Sequence, residues 1–78
     1  MSTDTRAQAR ALLAEALFLA PDDLADDVRL GDTPEWDSLA HTRLILALEE
    51  QLARPLQPEE TVALASLQDL ADLLEATR

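Results

Sequence analysis

The side chains able to do chemistry are few. Asp37 and Ser38 are adjacent, and three positions later stands His41, the only histidine of the chain. An acid, a serine and a histidine suggest nucleophilic catalysis, in which the imidazole takes the hydroxyl proton while the acid holds its second nitrogen. That chemistry also needs a strained, glycine-rich elbow to lift the serine out of the chain, and none surrounds Ser38. All three residues come from one helical turn, with Asp37 and Ser38 pointing in different directions. His41 is therefore expected as a surface residue flanking the serine, where a partner enzyme could read it. A hydroxyl exposed and fixed at a helix start favours chemistry done to the protein over chemistry done by it.

The remaining inventory excludes more than it offers. Asp22, Asp23, Asp26 and Asp27 could gather a hard cation weakly, but they lack EF-hand spacing, its invariant glycine and its bidentate glutamate. No dedicated metal site is expected. Gly31 alone cannot cradle a phosphate. Without cysteine there is no disulfide, no thiolate nucleophile and no thiolate zinc site.

Seventy-eight residues make one domain, which buries only roughly 60 to 65% of its extended surface on folding. Its only aromatics are Phe18 and Trp36, so Leu, Ala, Ile and Val must build the core, a composition that suits helices. The net charge is −10, with no lysine. Such an imbalance repels nucleic acid and anionic membrane surfaces and attracts basic protein patches. No signal peptide is visible at the N-terminus, and no apolar run approaches the roughly 18 residues of a membrane span. A soluble, cytoplasmic protein is expected.

The elements that must position Ser38 follow from periodicity. Ala9, Leu12, Leu13, Ala16 and Leu17 recur at helical spacing and predict an amphipathic helix over about residues 5–18, with Arg6, Arg10 and Glu15 off its stripe and Thr3 or Asp4 as N-cap. From Ala20 to Asp37 runs a long acidic connection, with a short helical turn near Asp22 to Ala25 and with Leu24, Val28 and Leu30 as pins onto the core. Trp36 either clamps the end of that connection or offers a partly exposed contact. A second helix over residues 38–53 opens on Asp37 or Ser38, both favoured N-caps. Its inward stripe is Leu44, Ile45, Leu48 and Leu52. Leu39 and Leu46 form a second stripe, either an exposed docking surface or a strip partly covered by the long connection. Pro55 and Pro58 end this helix; a short one follows over 59–64 with Val62 and Leu64 facing inward, then a last one over 67–77, capped by Ser66 and Asp69. The expected fold is all-α: a small bundle of three principal helices plus one short helix, with a long first loop.

The segment Leu30-Gly31-Asp32-Thr33-Pro34-Glu35-Trp36-Asp37-Ser38-Leu39, followed by Leu44-Ile45-Leu46-Ala47-Leu48-Glu49-Glu50-Gln51-Leu52, resembles the phosphopantetheine attachment site of acyl carrier proteins. Asp-Ser-Leu alone is a weak motif; joined to the Ala-Leu-Glu-Glu run, the chain length and the acidity, it is a strong one, and the likeness covers essentially the whole chain. It implies a bundle of the acyl-carrier type, a non-catalytic shuttle with no enzymatic activity of its own. It also implies a 4′-phosphopantetheine arm esterified to Ser38 by a separate phosphopantetheinyl transferase, with Asp37 as flanking acid and Leu39 as apolar contact. The arm's terminal thiol would carry acyl or aminoacyl groups as thioesters. An activating ligase would load it, and acyl-transferring or condensing enzymes would take the cargo.

Two departures from the family pattern bear on partners. Trp36 replaces the Gly or small residue that many members place before Asp-Ser, as in discrete carriers outside core fatty-acid synthesis. Ala40 and Arg43 stand where fatty-acid carriers commonly have acids. The expected docking surface is therefore Glu35, Leu39, Arg43, Leu46, Glu49 and Glu50, with Asp37 beside it, in a specialised pathway such as polyketide, non-ribosomal peptide or modified-glycan assembly. Nothing in the sequence demands more than a monomer. The rival expectation is an unmodified acidic helical adaptor that binds a basic protein through Leu39 and Leu46.

Overall fold

The computed structural model describes residues 3–76, which form four helices and no strand. Helix α1 (Thr3–Leu17) is followed by a 3-10 turn (Pro21–Asp23), α2 (Ser38–Leu52), α3 (Pro58–Ala63) and α4 (Leu67–Ala76). The architecture is the all-α bundle expected from the periodicity. Thr3 and Asp4 belong to α1 itself rather than capping it, and the expected end of α4 at Thr77 lies outside the described residues.

The core lies where α1 meets α2 and α4. Leu13 of α1, Leu44 and Leu48 of α2, and Leu67 and Leu70 of α4 are fully buried. Between them Ala9, Ala14, Ala40 and Ala71 are buried as well, and their small side chains let the helix backbones approach closely. Of the expected inward stripes, Leu12, Ile45 and Leu52 are only half-buried and pack on the margin of this core. Trp36 is 1% exposed and clamps the end of the long connection.

That connection is held by devices the hydrophobic pattern does not display. Arg10 reaches across from α1 to the Leu24 carbonyl and the Asp26 carboxylate, and Arg6 donates to the Asp26 carbonyl (3.4 Å) as well as bonding Gln68 on α4. An isolated antiparallel bridge joins Arg29 to Ser66, with the Leu30 N–H donating to the Ala65 carbonyl (2.8 Å) and the Leu67 N–H to the Val28 carbonyl (3.0 Å). Leu24 and Val28 are buried as expected, but Leu30 is 43% exposed. The reason is local. Arg29 to Asp32 form a turn closed by the Asp32 N–H on the Arg29 carbonyl (2.9 Å), with Gly31 at φ +91°, the left-handed position such a turn reserves for glycine. Leu30 occupies the corner of that turn and projects outward.

Val62 also departs from expectation, being exposed while Leu64 is buried. Leu64 stands just past α3, where the backbone turns extended (φ −81°, ψ 93°) and its side chain is buried, whereas Val62 lies within α3, none of whose own residues is buried. The last helix starts as expected in kind: the Ser66 hydroxyl accepts the Asp69 N–H (3.0 Å). The shorter Asp69 carboxylate accepts from the Ala65 N–H (3.1 Å) instead of completing the bond on Ser66 that a glutamate makes.

Candidate functional site

Asp37 is the N-cap of α2. Its backbone is extended, and its carboxylate accepts the Ala40 N–H at 2.9 Å, which satisfies one of the donors a helix start leaves open. Ser38 is thereby the first helical residue, and its side chain is exposed. No protein group among the described residues takes its hydroxyl. The backbone N–H groups of Ser38 and Leu39 are likewise open, and together with the helix dipole they favour an anion at this end.

His41 lies one turn further on. Its Nδ1 accepts the indole N–H of Trp36 at 3.1 Å, and the two rings stack with centroids 6.1 Å apart. It is half-buried against Trp36, not the free surface residue that its spacing suggests. The same bond bears on catalysis: the nitrogen that an acid would hold in a hydrolase is held by the indole, and the Asp37 carboxylate is engaged with Ala40. His41 could have been tied to Trp36 in the sequence only by knowing how the loop before Asp37 folds back.

The residues expected to meet partners fall into two groups. Leu39 and Leu46 are 66% and 61% exposed, so the loop does not cover them, and Glu50 is exposed one turn beyond Leu46. Glu35 is exposed beside the helix start. The Thr33 hydroxyl, and then the backbone N–H of Glu35, hold its carboxyl below the usual carboxylate range. The other two are engaged within the chain. Glu49 accepts the Leu56 N–H (2.8 Å) and so braces the turn after α2. Arg43 leans onto α1, where Nε donates to the Ala16 carbonyl (3.0 Å) and the guanidinium lies 4.4 Å from the centre of the Phe18 ring.

Phe18 is the surface residue that periodicity does not reveal. It is 78% exposed, sits just past α1 with a left-handed backbone (φ 59°), and joins the α2 surface through Arg43. Its one legible signal is that it stands off the buried stripe at the end of a helix.

Among the described residues no group of three or more His, Cys, Asp or Glu could hold a metal ion, and no helix is long and apolar enough to cross a membrane. Compared with known proteins, the chain matches no family model and no curated protein.

Proposed function

We propose that this chain is a discrete carrier protein of the acyl carrier type, with Ser38 as the attachment residue for 4′-phosphopantetheine. One observation carries the reading: an exposed, otherwise unengaged hydroxyl stands at the first position of a capped helix, beside two open backbone N–H groups. Esterification needs access for a transferase and tolerance for a phosphodiester, and this position supplies both. The residues present fit the group. Asp37 shapes the helix start and repels the phosphate it adjoins, while the Ser38 and Leu39 N–H groups attract it.

The terminal thiol of a bound arm supplies the nucleophile on which acyl or aminoacyl groups are held as thioesters. The chain itself presents and is recognised. A phosphopantetheinyl transferase, an activating ligase and downstream acyl-transferring or condensing enzymes are the partners of this reading, in a specialised biosynthetic pathway. Their contact surface is Leu39 and Leu46 with Glu35, Asp37 and Glu50, a strip that suits apolar residues flanked by arginine or lysine. A cytoplasmic, monomeric protein goes with it.

Incubation with coenzyme A and a broad-specificity transferase, followed by intact-mass analysis, tests the proposal. The expected result is a gain of one phosphopantetheinyl mass on the wild type and none on Ser38→Ala, with the same helical circular dichroism in both. Equal gain in the two proteins would remove Ser38 from the scheme. The exposure of Leu39 and Leu46 also supports a second reading, an unmodified adaptor for a basic partner. An adaptor needs no hydroxyl at position 38, so no mass gain on either protein, with partner capture unaffected by Ser38→Ala, would favour it.

A further inference from the structure

Trp36 is buried, and its single polar group is the indole N–H, which can only donate. It points at Nδ1 of His41, 3.1 Å away. Nδ1 must therefore present its lone pair, and in a neutral imidazole the proton then resides on Nε2. The position of that second nitrogen follows from satisfaction of buried groups. No buried side-chain nitrogen or oxygen among the described residues lacks a hydrogen-bond partner, and the bond His41 makes is at Nδ1, so Nε2 reaches solvent. The stacked indole fixes the ring plane as well. The result is an oriented N–H donor at the protein surface, with its tautomer chosen from inside the core.

Its location gives that donor a use. Side chains on a helix lean toward the N-terminus, so His41 covers the turn that begins at Ser38, and Cβ atoms three residues apart lie roughly 5–6 Å from one another. A phosphodiester on Ser38 would carry one negative charge next to the Asp37 carboxylate, which is already turned to Ala40. The first turn leaves two backbone donors for it, from Ser38 and Leu39. We propose that His41 is a positioning residue, a third donor whose Nε2–H bonds a non-bridging phosphate oxygen and restrains the base of the arm. The proposal rests on the carrier reading of Ser38 and adds to it a role for the Trp36–His41 pair. Trp36 acts through His41 by setting its tautomer and plane.

The test uses the full ¹⁵N-labelled chain, before and after loading by a broad-specificity transferase with coenzyme A. Long-range ¹H–¹⁵N correlation should show His41 protonated at Nε2 in the unloaded protein. On loading, the Nε2 resonance should move while Nδ1 stays in place. His41→Asn keeps an oxygen that can accept from Trp36 but carries no group reaching the Nε2 position. That variant should retain the Trp36 indole proton shift and the melting temperature, and shift the phosphodiester ³¹P resonance of the loaded protein. A merely structural histidine would not move that resonance. If the variant does not fold, the wild-type comparison at Nε2 decides alone. Protonation at Nδ1, or complete loading with Nε2 unmoved, would overturn the role of His41 and leave the carrier reading standing. Failure of the wild type to gain mass would overturn both.

Discussion

At the scale of single residues, two side chains occupy a backbone region that disfavours them. Phe18 and Ala53 both sit at φ near +60°, each just past the end of a long helix. The bonds around them have the same form. Leu19 N–H donates to the Ala14 carbonyl (2.9 Å) and Phe18 N–H to Glu15 (3.3 Å); Arg54 N–H donates to Glu49 (3.2 Å) and Ala53 N–H to Glu50 (3.3 Å). This is the Schellman ending, whose left-handed position usually belongs to glycine. Phe18 has compensation from the guanidinium of Arg43 over its ring, whereas Ala53 is an exposed methyl. Ala53→Gly should therefore stabilise the protein by about 1 kcal/mol, the steric cost of a left-handed L-residue less the added chain entropy of glycine. In a domain of this size that is an increase of roughly 4–8 °C in Tm, readable by thermal circular dichroism. A lower Tm would mean that the Ala53 methyl makes a contact worth more than the strain.

At the scale of elements, α3 is the piece most dependent on polar contacts. None of its own residues is buried. It is anchored at its start, where Glu60 accepts the Gln57 N–H (2.8 Å) and forms a two-bond ion pair with Arg54 (3.0 and 2.9 Å), and at its end by the buried Leu64. The hydrogen bonds from Arg54 first, and from the Gln57 backbone second, lower the Glu60 carboxyl from the ordinary 4.5 to about 2. A carboxyl whose pKa is lower in the folded state stabilises that state above its unfolded pKa and loses the contribution as the folded form takes up a proton. The stabilisation should thus be complete above about pH 4.5 and disappear as pH falls toward about 2. Amide resonances of residues 58–63 should report loosening of α3 across that window, and Glu60→Gln should show the loosened state already at neutral pH. A titration profile identical in the two proteins would exclude Glu60 as the anchor. Added salt should reduce the effect, since both side chains reach solvent.

At the scale of the whole molecule, net charge opposes compactness. The chain carries ten excess negative charges, and its described residues span only 28 × 27 × 18 Å. At physiological ionic strength the Debye length is about 8 Å, shorter than most separations across such a body, so salt should screen much of the repulsion. The melting temperature is expected to rise as NaCl increases from low millimolar to about 0.15 M, with a larger rise for a divalent salt at equal concentration. A fall would mean that the ion pairs Arg10–Asp26 and Arg54–Glu60, which salt weakens, outweigh the general repulsion.

The sequence by itself determined the helices, most of the core and the place of Ser38 at a helix start. These depend on neighbours within one or two turns: the stripe Leu13-Ala16-Leu17, the stripe Leu44-Leu48, the Asp37 cap and the Ser66–Asp69 pair all act over four residues or fewer. Only the tertiary structure decided which polar and exposed groups are engaged. Arg43 reaches Ala16, 27 positions away, and Arg6 reaches Gln68, 62 positions away, while the Arg29–Ser66 bridge ties the loop to the start of α4. The Trp36–His41 bond is short in sequence yet crosses from an irregular loop into a helix, where no period applies. Helical repeats and caps are local properties of a chain, but hydrogen bonds between distant side chains exist only once packing has brought them within about 3 Å, and a linear pattern carries no such distance.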